Sequence, residues 1–184
     1  MGGDDPLILL LYVDDLFIIG GERPIAACKK DFASEYEVTD IELMHYFLGL
    51  EVWQKLGHIF LGQGKYVVDI LRRFRMEDSR PMSTLIVTNW KKLQASKGEL
   101  VDPTLYRQLI GMLMYLVNTR PDLCFVMNTL SQFMKDPRRV HWIVAKHVLR
   151  YLAGTMDYGM HYRRSNGVIL VEFTYSYLEG SVIV

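Results

Sequence analysis

The hydrophobic pattern changes period several times along the chain, and each change marks an element. Leu7-Ile8-Leu9-Leu10-Leu11-Tyr12-Val13 is a continuous apolar run, and Leu16-Phe17-Ile18-Ile19 is a second. Short runs without alternation read as strands buried on both faces. Asp14 and Asp15 separate the two runs and Gly20-Gly21 closes the second, which predicts a β-hairpin whose turn carries two adjacent carboxylates. Pro24 suits the first turn of a helix. Ile25, Cys28, Phe32 and Tyr36 then recur at helical spacing, with Lys29, Lys30, Asp31 and Glu35 on the remaining surface. A second strand pair is predicted over residues 46–53 and 58–61, with Gly57 between them. Residues 64–74 read as a short helix with Val67, Ile70, Leu71 and Phe74 inward and Arg72, Arg73 and Arg75 outward.

Between Arg80 and Pro103 the pattern weakens, and Pro81, Asn89, Gly98 and Pro103 punctuate an irregular connection. Beyond it the period is plainly helical. Leu109, Met112, Leu113 and Leu116 form one stripe, which ends before Pro121. Asp122 is placed to cap a second helix running to about Met134, before Pro137. Val140, Ile143, Val144, His147, Val148, Tyr151 and Leu152 share one face of a third helix that stops at Gly154. Three helices joined by short turns predict a compact helical subdomain. From Met160 the pattern becomes strand-like again, with Tyr162, Val168, Ile169, Leu170, Val171 and Phe173.

Composition narrows the class. The chain has 184 residues, half of them hydrophobic, which is enough for a core and far from a disordered composition. That length suggests one domain or two small ones. Lys plus Arg and Asp plus Glu are 21 each. This balance excludes a strong global pull on nucleic acid or anionic membrane, though not a local basic groove. Cys28 and Cys124 stand far apart with no Cys or His cluster around either, so neither a disulfide scaffold nor a structural zinc site is supported, and both are expected to be buried thiols in a reducing compartment. The acidic start, Met1-Gly2-Gly3-Asp4-Asp5, is neither a signal nor a transit peptide. The first apolar run is far shorter than the roughly 20 residues that cross a bilayer. The expectation is an intracellular protein of cytoplasm or nucleus with no membrane partner.

The chemistry-bearing feature is the Asp14-Asp15 pair. Adjacent ionised carboxylates repel each other, and burial beside apolar strands increases the cost. A divalent cation relieves it, and Mg²⁺ favours one or two carboxylates completed by substrate phosphates and water. Two such ions serve phosphoryl transfer by activating the attacking oxygen and steadying the leaving group. A solvated Asp-Asp turn is the plain alternative. A phosphate loop over Gly57, Gly62 and Gly64 fails on spacing, since Gln63 stands where Lys is needed, and a glycine-bearing hairpin turn fits better. His141 and His147 fall on different helix faces, which excludes a shared metal, and His147 is expected to be a hydrogen-bonded core residue. Arg72, Arg73 and Arg75, and Arg138 and Arg139 with Lys146 and Arg150, suit phosphate contacts and solvated helix faces equally.

Tyr12-Val13-Asp14-Asp15 resembles the Tyr-x-Asp-Asp box of reverse transcriptases, and the resemblance narrows to the copia-type retrotransposon Pol polyprotein. Similar to that family are His45-Tyr46-Phe47-Leu48-Gly49-Leu50-Glu51-Val52, Lys65-Tyr66-Val67-Val68-Asp69-Ile70-Leu71-Arg72-Arg73-Phe74-Arg75-Met76 and Tyr106-Arg107-Gln108-Leu109-Ile110-Gly111. So are Thr119-Arg120-Pro121-Asp122-Leu123 and Leu149-Arg150-Tyr151-Leu152-Ala153-Gly154-Thr155. The likeness runs from about Leu7 to Gly180. It implies an α+β fold, in which a partial palm of antiparallel strands and helices is followed by a helical thumb and connection bundle. The implied divisions are residues 1–80, the later palm with its primer-grip hairpin; 81–103, a linker; 104–159, the thumb and connection helices; and 160–184, the start of a ribonuclease H-like domain.

The same resemblance implies that Asp14 and Asp15 are catalytic and hold Mg²⁺, and that Tyr12, Phe47, Leu48 and Gly49 contact nucleic acid. Its partners are an RNA or DNA template-primer and a deoxynucleoside triphosphate. The implied activity is RNA-directed DNA polymerisation. The family places a further metal-binding Asp and the fingers before the Tyr-x-Asp-Asp strand, whereas here Met1 lies only a few residues ahead of it and Asp4 and Asp5 are no replacement. The string Phe173-Thr174-Tyr175-Ser176-Tyr177-Leu178-Glu179-Gly180 puts Tyr175 and Tyr177 where the family's ribonuclease H strand has aspartates, and tyrosine is no hard anionic ligand at neutral pH. The expected function is therefore a reverse transcriptase fragment that is inactive alone. The alternatives are a non-catalytic nucleic-acid-binding remnant and a poorly folding pseudogene product.

Overall fold

Strand β1 (Ile8–Tyr12) pairs antiparallel with β2 (Asp15–Ile19), with Ile8 opposite Ile19 and Tyr12 opposite Asp15. The structure is a computed structural model that describes residues 6–85 and 98–163. Helix α1 (Glu22–Glu35) follows at once, with Pro24 in its first turn and the Ile25 amide bonded to the Gly21 carbonyl at 3.1 Å. After α1 the chain is tied down by Asp40, whose carboxylate accepts from Lys29 Nζ at 2.7 Å and from the Glu42 amide at 2.9 Å. The Lys29 hydrogen bond, together with that amide, holds the Asp40 carboxyl below the usual carboxylate range. These elements form one compact unit, Met1–Met44, and the rest of the chain forms another, His45–Val184.

The expectation that both strands of the hairpin are buried on each face is corrected. All five residues of β1 are exposed, Leu11 to 72%, and no described residue of the first unit is fully buried. A two-stranded sheet with one short helix does not enclose both of its faces.

Among its described residues the second unit joins a four-stranded antiparallel sheet, in the order β3-β4-β5-β6, to four α-helices. The single strand predicted over residues 46–53 is broken: β3 (Tyr46–Phe47) turns back into β4 (Leu50–Lys55) through Leu48 and Gly49. Both turn residues have positive φ, 47° and 78°, the backbone of a two-residue hairpin turn that matches strand twist. β4 then turns through Leu56 and Gly57 (φ 74°) into β5 (His58–Gly62), as the glycine-bearing turn predicts. β6 (Gly159–Arg163) returns from the far end of the chain to pair with β5. Thus Met160 and Tyr162 are strand residues, while Val168 to Val171 and Phe173 lie outside the described residues, as do Asp4, Asp5, Tyr175 and Tyr177.

The core lies among α2 (Gly64–Arg73), α3 (Pro103–Leu116), α4 (Cys124–Ser131) and α5 (Arg139–Ala153). Asp102 caps α3, its carboxylate accepting the Thr104 amide at 2.8 Å, and Pro103 occupies the position where a missing N–H costs nothing. Val67, Ile70 and Leu71 from α2 meet Leu109, Leu113 and Leu116 from α3, Met127 and Leu130 from α4, and Val148, Leu149 and Leu152 from α5. Each such side chain contributes about 1.5–3 kcal/mol by leaving water. Tyr106 is also wholly buried; its hydroxyl donates to the Leu130 carbonyl at 2.9 Å, and burial pushes its pKa above the ordinary value.

Three details of the helical region differ from expectation. Asp122 does not cap α4; it sits in a short 3₁₀ turn (Pro121–Leu123), where Arg120 claims its carboxylate. The buried face of α5 is turned relative to the predicted one. It is formed by His141, Val144, Ala145, Val148, Leu149 and Leu152, and it leaves Ile143 half exposed. The core histidine is accordingly His141, stacked on Phe133 at 3.8 Å with its Nδ1 accepting the Arg138 amide, whereas His147 is half-buried and bonds the Thr84 carbonyl. Cys28 and Cys124 are half-buried thiols rather than buried ones, because one lies on a helix with no buried residue and the other opens α4.

Candidate functional site

The β1–β2 hairpin gathers Tyr12, Asp14 and Asp15 within four consecutive positions. Because Tyr12 pairs with Asp15, the turn proper is Val13-Asp14 and Asp15 is already the first residue of β2. The two carboxylates thus differ in setting, one on the turn and one in the ladder, which corrects the picture of both riding on the turn. Val13 has φ 53°, a left-handed backbone that a β-branched side chain strongly resists. Strain of this kind persists only where the surroundings over-determine it, and it concentrates at functional positions. Both aspartates are exposed, so water screens part of their repulsion, contrary to the burial that the apolar runs suggest.

These residues offer two hard oxygen ligands side by side. Among the described residues no group of three or more His, Cys, Asp or Glu side chains is placed to hold a metal ion. A pair alone suits Mg²⁺ that takes its remaining ligands from substrate phosphates and water. It does not suit a structural ion caged by protein.

Phe47, Leu48 and Gly49 form a second hairpin tip, in the other unit. Its strained Leu48 is held from α3, where the Tyr115 hydroxyl donates to the Leu48 carbonyl. A Cβ on Gly49 would stand 3.3 Å from that same hydroxyl, a tight contact, and the φ of 78° is what favours glycine there. Tyr66 packs edge-on against Tyr115 with ring centroids 5.2 Å apart. Burial, followed by the neighbouring Tyr115, raises the Tyr66 pKa. Sequence reasoning missed Tyr115, since one half-buried tyrosine on an apolar helix has no pattern to distinguish it.

It also missed the joint around Arg120. This guanidinium is buried, 2% exposed, and forks onto Asp122 at 3.0 and 2.8 Å. It donates further to the Thr155 carbonyl at 2.8 Å and hydroxyl at 2.9 Å, between the rings of Tyr151 and Tyr158. Partial burial works against the Asp122 carboxylate, but the hydrogen bonds and charge of Arg120, with the Tyr151 hydroxyl, outweigh it and hold the pKa below the usual range. Beside it, the buried Gln63 accepts from the Thr119 hydroxyl at 2.7 Å. The signal was the string Thr119-Arg120-Pro121-Asp122, read only as a family likeness.

Several of the other basic groups are locally engaged. Arg72 pairs with Asp69 and Glu77, Arg138 with Asp136 and Arg139 with Glu99, while Arg150 donates to the Arg80 carbonyl. Most of these pairs are exposed, which is the behaviour of solvated helix faces. No helix among the described residues is long and apolar enough to cross a membrane.

Comparison with known proteins bears on both hairpins. The family model described as Reverse transcriptase (RNA-dependent DNA polymerase) matches residues 1–88. The chain is 39% identical over 169 residues to the retrovirus-related Pol polyprotein from transposon RE2 of Arabidopsis thaliana, covering 91% of this chain and 12% of that protein. It is 33% identical to the Pol polyprotein from transposon TNT 1-94 of Nicotiana tabacum, over 81% of this chain and again 12% of the relative. An uncharacterized mitochondrial protein of Arabidopsis thaliana is 32% identical over 87% of this chain and 67% of its own length. The chain therefore spans about an eighth of the Pol polyproteins it matches. No solved structure gives a significant match.

Proposed function

Because this chain belongs to the copia-type retrotransposon Pol family, we propose that it carries the carboxylate-bearing palm strands and the primer-grip hairpin of an RNA-directed DNA polymerase, and that it does not polymerise by itself. The observation that carries this reading is the β1–β2 hairpin, which sets Asp14 and Asp15 side by side behind a strained Val13 within the segment matched to reverse transcriptases. In it, Asp14 and Asp15 hold Mg²⁺, and the metal, when bound, supplies charge to the attacking and leaving oxygens of nucleotidyl transfer. Tyr12 lies against the template-primer. Phe47, Leu48 and Gly49 support the primer end, with Tyr115 fixing the hairpin tip. The partners are an RNA or DNA template-primer and a deoxynucleoside triphosphate. Residues 1–80 serve as the palm portion and 104–159 as the thumb and connection helices.

The proposed inactivity follows from ligand count. Among the described residues no third carboxylate joins Asp14 and Asp15, and two carboxylates leave a two-metal centre short of protein ligands. Primer extension on an RNA template with Mg²⁺, using the Asp14→Asn/Asp15→Asn variant as blank, tests it. The expected result is no synthesis above the blank from a folded sample. Synthesis that disappears in the variant overturns the proposed inactivity and makes the chain an enzyme; synthesis that persists in the variant removes Asp14 and Asp15 from the catalytic role.

A further inference from the structure

Beyond the two hairpins, the sheet of the second unit carries an ordered lattice on one face. Side chains on one face of a sheet follow the register, and the register aligns three rows across β4, β5 and β6. Lys55 lies opposite His58, and His58 opposite Arg163; the next row is Trp53, Phe60 and His161; the third is Glu51, Gly62 and Gly159. Residues within a row are about 5 Å apart, and successive rows about 7 Å. The first row is therefore basic and the second aromatic, side by side across three strands.

The third row explains how the aromatic row lies. A Cβ on Gly62 would come within 2.9 Å of the Phe60 ring and 3.2 Å of the Trp53 ring, and one on Gly159 within 2.7 Å of the Phe60 ring. The two paired glycines thus form a flat floor over which Phe60 is laid. Trp53 packs on Phe60 with centroids 5.3 Å apart, and His161 stacks on His58 at 5.2 Å and 17°. Trp53 nevertheless keeps half its surface in water, and His58, His161, Lys55 and Arg163 are exposed. Among the described residues Lys55 and Arg163 have no acidic partner, and the one carboxylate of the three rows, Glu51, is buried against Lys65.

We propose that this face of β4, β5 and β6 is a binding platform for single-stranded nucleic acid, with unpaired bases stacking on Trp53 and His161 and the phosphate backbone running along Lys55, His58 and Arg163. Unpaired bases offer π-faces to an aromatic platform, whereas duplex bases already stack on one another, so the surface favours single strands. The unpaired cations are complementary to phosphate, and they sit one row from the rings, about one step along the strand. The platform lies wholly within the second unit and needs neither Asp14, Asp15 nor a metal ion. Failure of primer extension leaves it standing, and loss of single-strand binding leaves the extension result standing.

The test is fluorescence anisotropy of labelled oligothymidylate, and of a duplex of equal length, with the full chain at low salt in EDTA. The expected result is single-strand binding at least about tenfold tighter than duplex binding. Trp53→Ala weakens it about tenfold, the loss of one stacked base, while Trp53→Phe retains most of it. The Lys55→Gln/Arg163→Gln pair lowers the slope of log affinity against log salt by about 1.4, two single-strand phosphate contacts. That pair is exposed and decides the matter if Trp53→Ala fails to fold. Absence of single-strand binding, equal affinity for duplex, or a salt slope unchanged in the paired variant overturns the proposal.

Discussion

Two leucine-rich stretches of this chain end in opposite environments. Leu9, Leu10 and Leu11 follow one another along β1 and are all exposed, whereas Leu109, Leu113 and Leu116 recur at helical spacing along α3 and are entirely buried. The first set is the more hydrophobic to the eye, yet it belongs to the unit in which no described residue is fully buried. The second set is enclosed because α2, α4 and α5 surround it. Local apolarity states a demand for burial, and only enough neighbouring layers satisfy it. The unit that carries Asp14 and Asp15 is thus the poorer in core, and the stabilising apolar contacts separate from that carboxylate pair along the chain.

The largest test of that separation is Leu113→Ala against Leu11→Ala. Leu113→Ala is expected to cost about 2–5 kcal/mol in denaturant unfolding of the second unit, with a cavity left behind. Leu11→Ala is expected to stay within about 0.5 kcal/mol, as exposed substitutions do. Equal losses would break the comparison and show that β1 is buried in solution.

The Arg120–Asp122 joint gives the next effect. Asp122→Ala strands a guanidinium that is 3% exposed, and is expected to cost about 2–3 kcal/mol, less than a fully buried pair because the Asp122 side chain is 36% exposed. The same carboxylate has a depressed pKa in the folded state. It therefore contributes stability above the ordinary carboxylate value of about 3.9, and this is lost as pH falls through its lower folded value. Thermal unfolding between pH 7 and pH 2 should decline more steeply in the parent chain than in Asp122→Asn. An identical pH dependence in the two would detach the joint from acid stability.

The smallest effect sharpens the view of the first unit. Val13→Gly removes a left-handed penalty of about 1–2 kcal/mol and adds roughly 0.5–1 kcal/mol of chain entropy, so a net gain of about 1 kcal/mol or less is expected. Slower amide exchange across β1 and β2 would register it. Faster exchange would mean that the valine side chain holds the hairpin together.

What was legible in the sequence follows the same division. Periodicity identified α2, α3 and the hairpin of β1 and β2 because single residues there obey one dominant constraint. It missed the break at Leu48-Gly49, since a leucine at positive φ contradicts its own propensity and is held by Tyr115, far away in sequence. It misjudged the buried face of α5, because His141 is polar on its own and becomes a core residue only through Phe133 and the Arg138 amide. The lattice on β4, β5 and β6 was invisible for a related reason. Its rows exist only in the register of strands drawn from both ends of the unit.

That register has a consequence for how the molecule is made. β6 reaches β5 only after α2, α3, α4 and α5 have been synthesised. Until then the outer edge of β5 presents unpaired amides and carbonyls, the condition that invites association between nascent chains. The strand that closes this edge follows α5 in sequence, so a chain interrupted after α5 would hold most of its core and still be prone to aggregate.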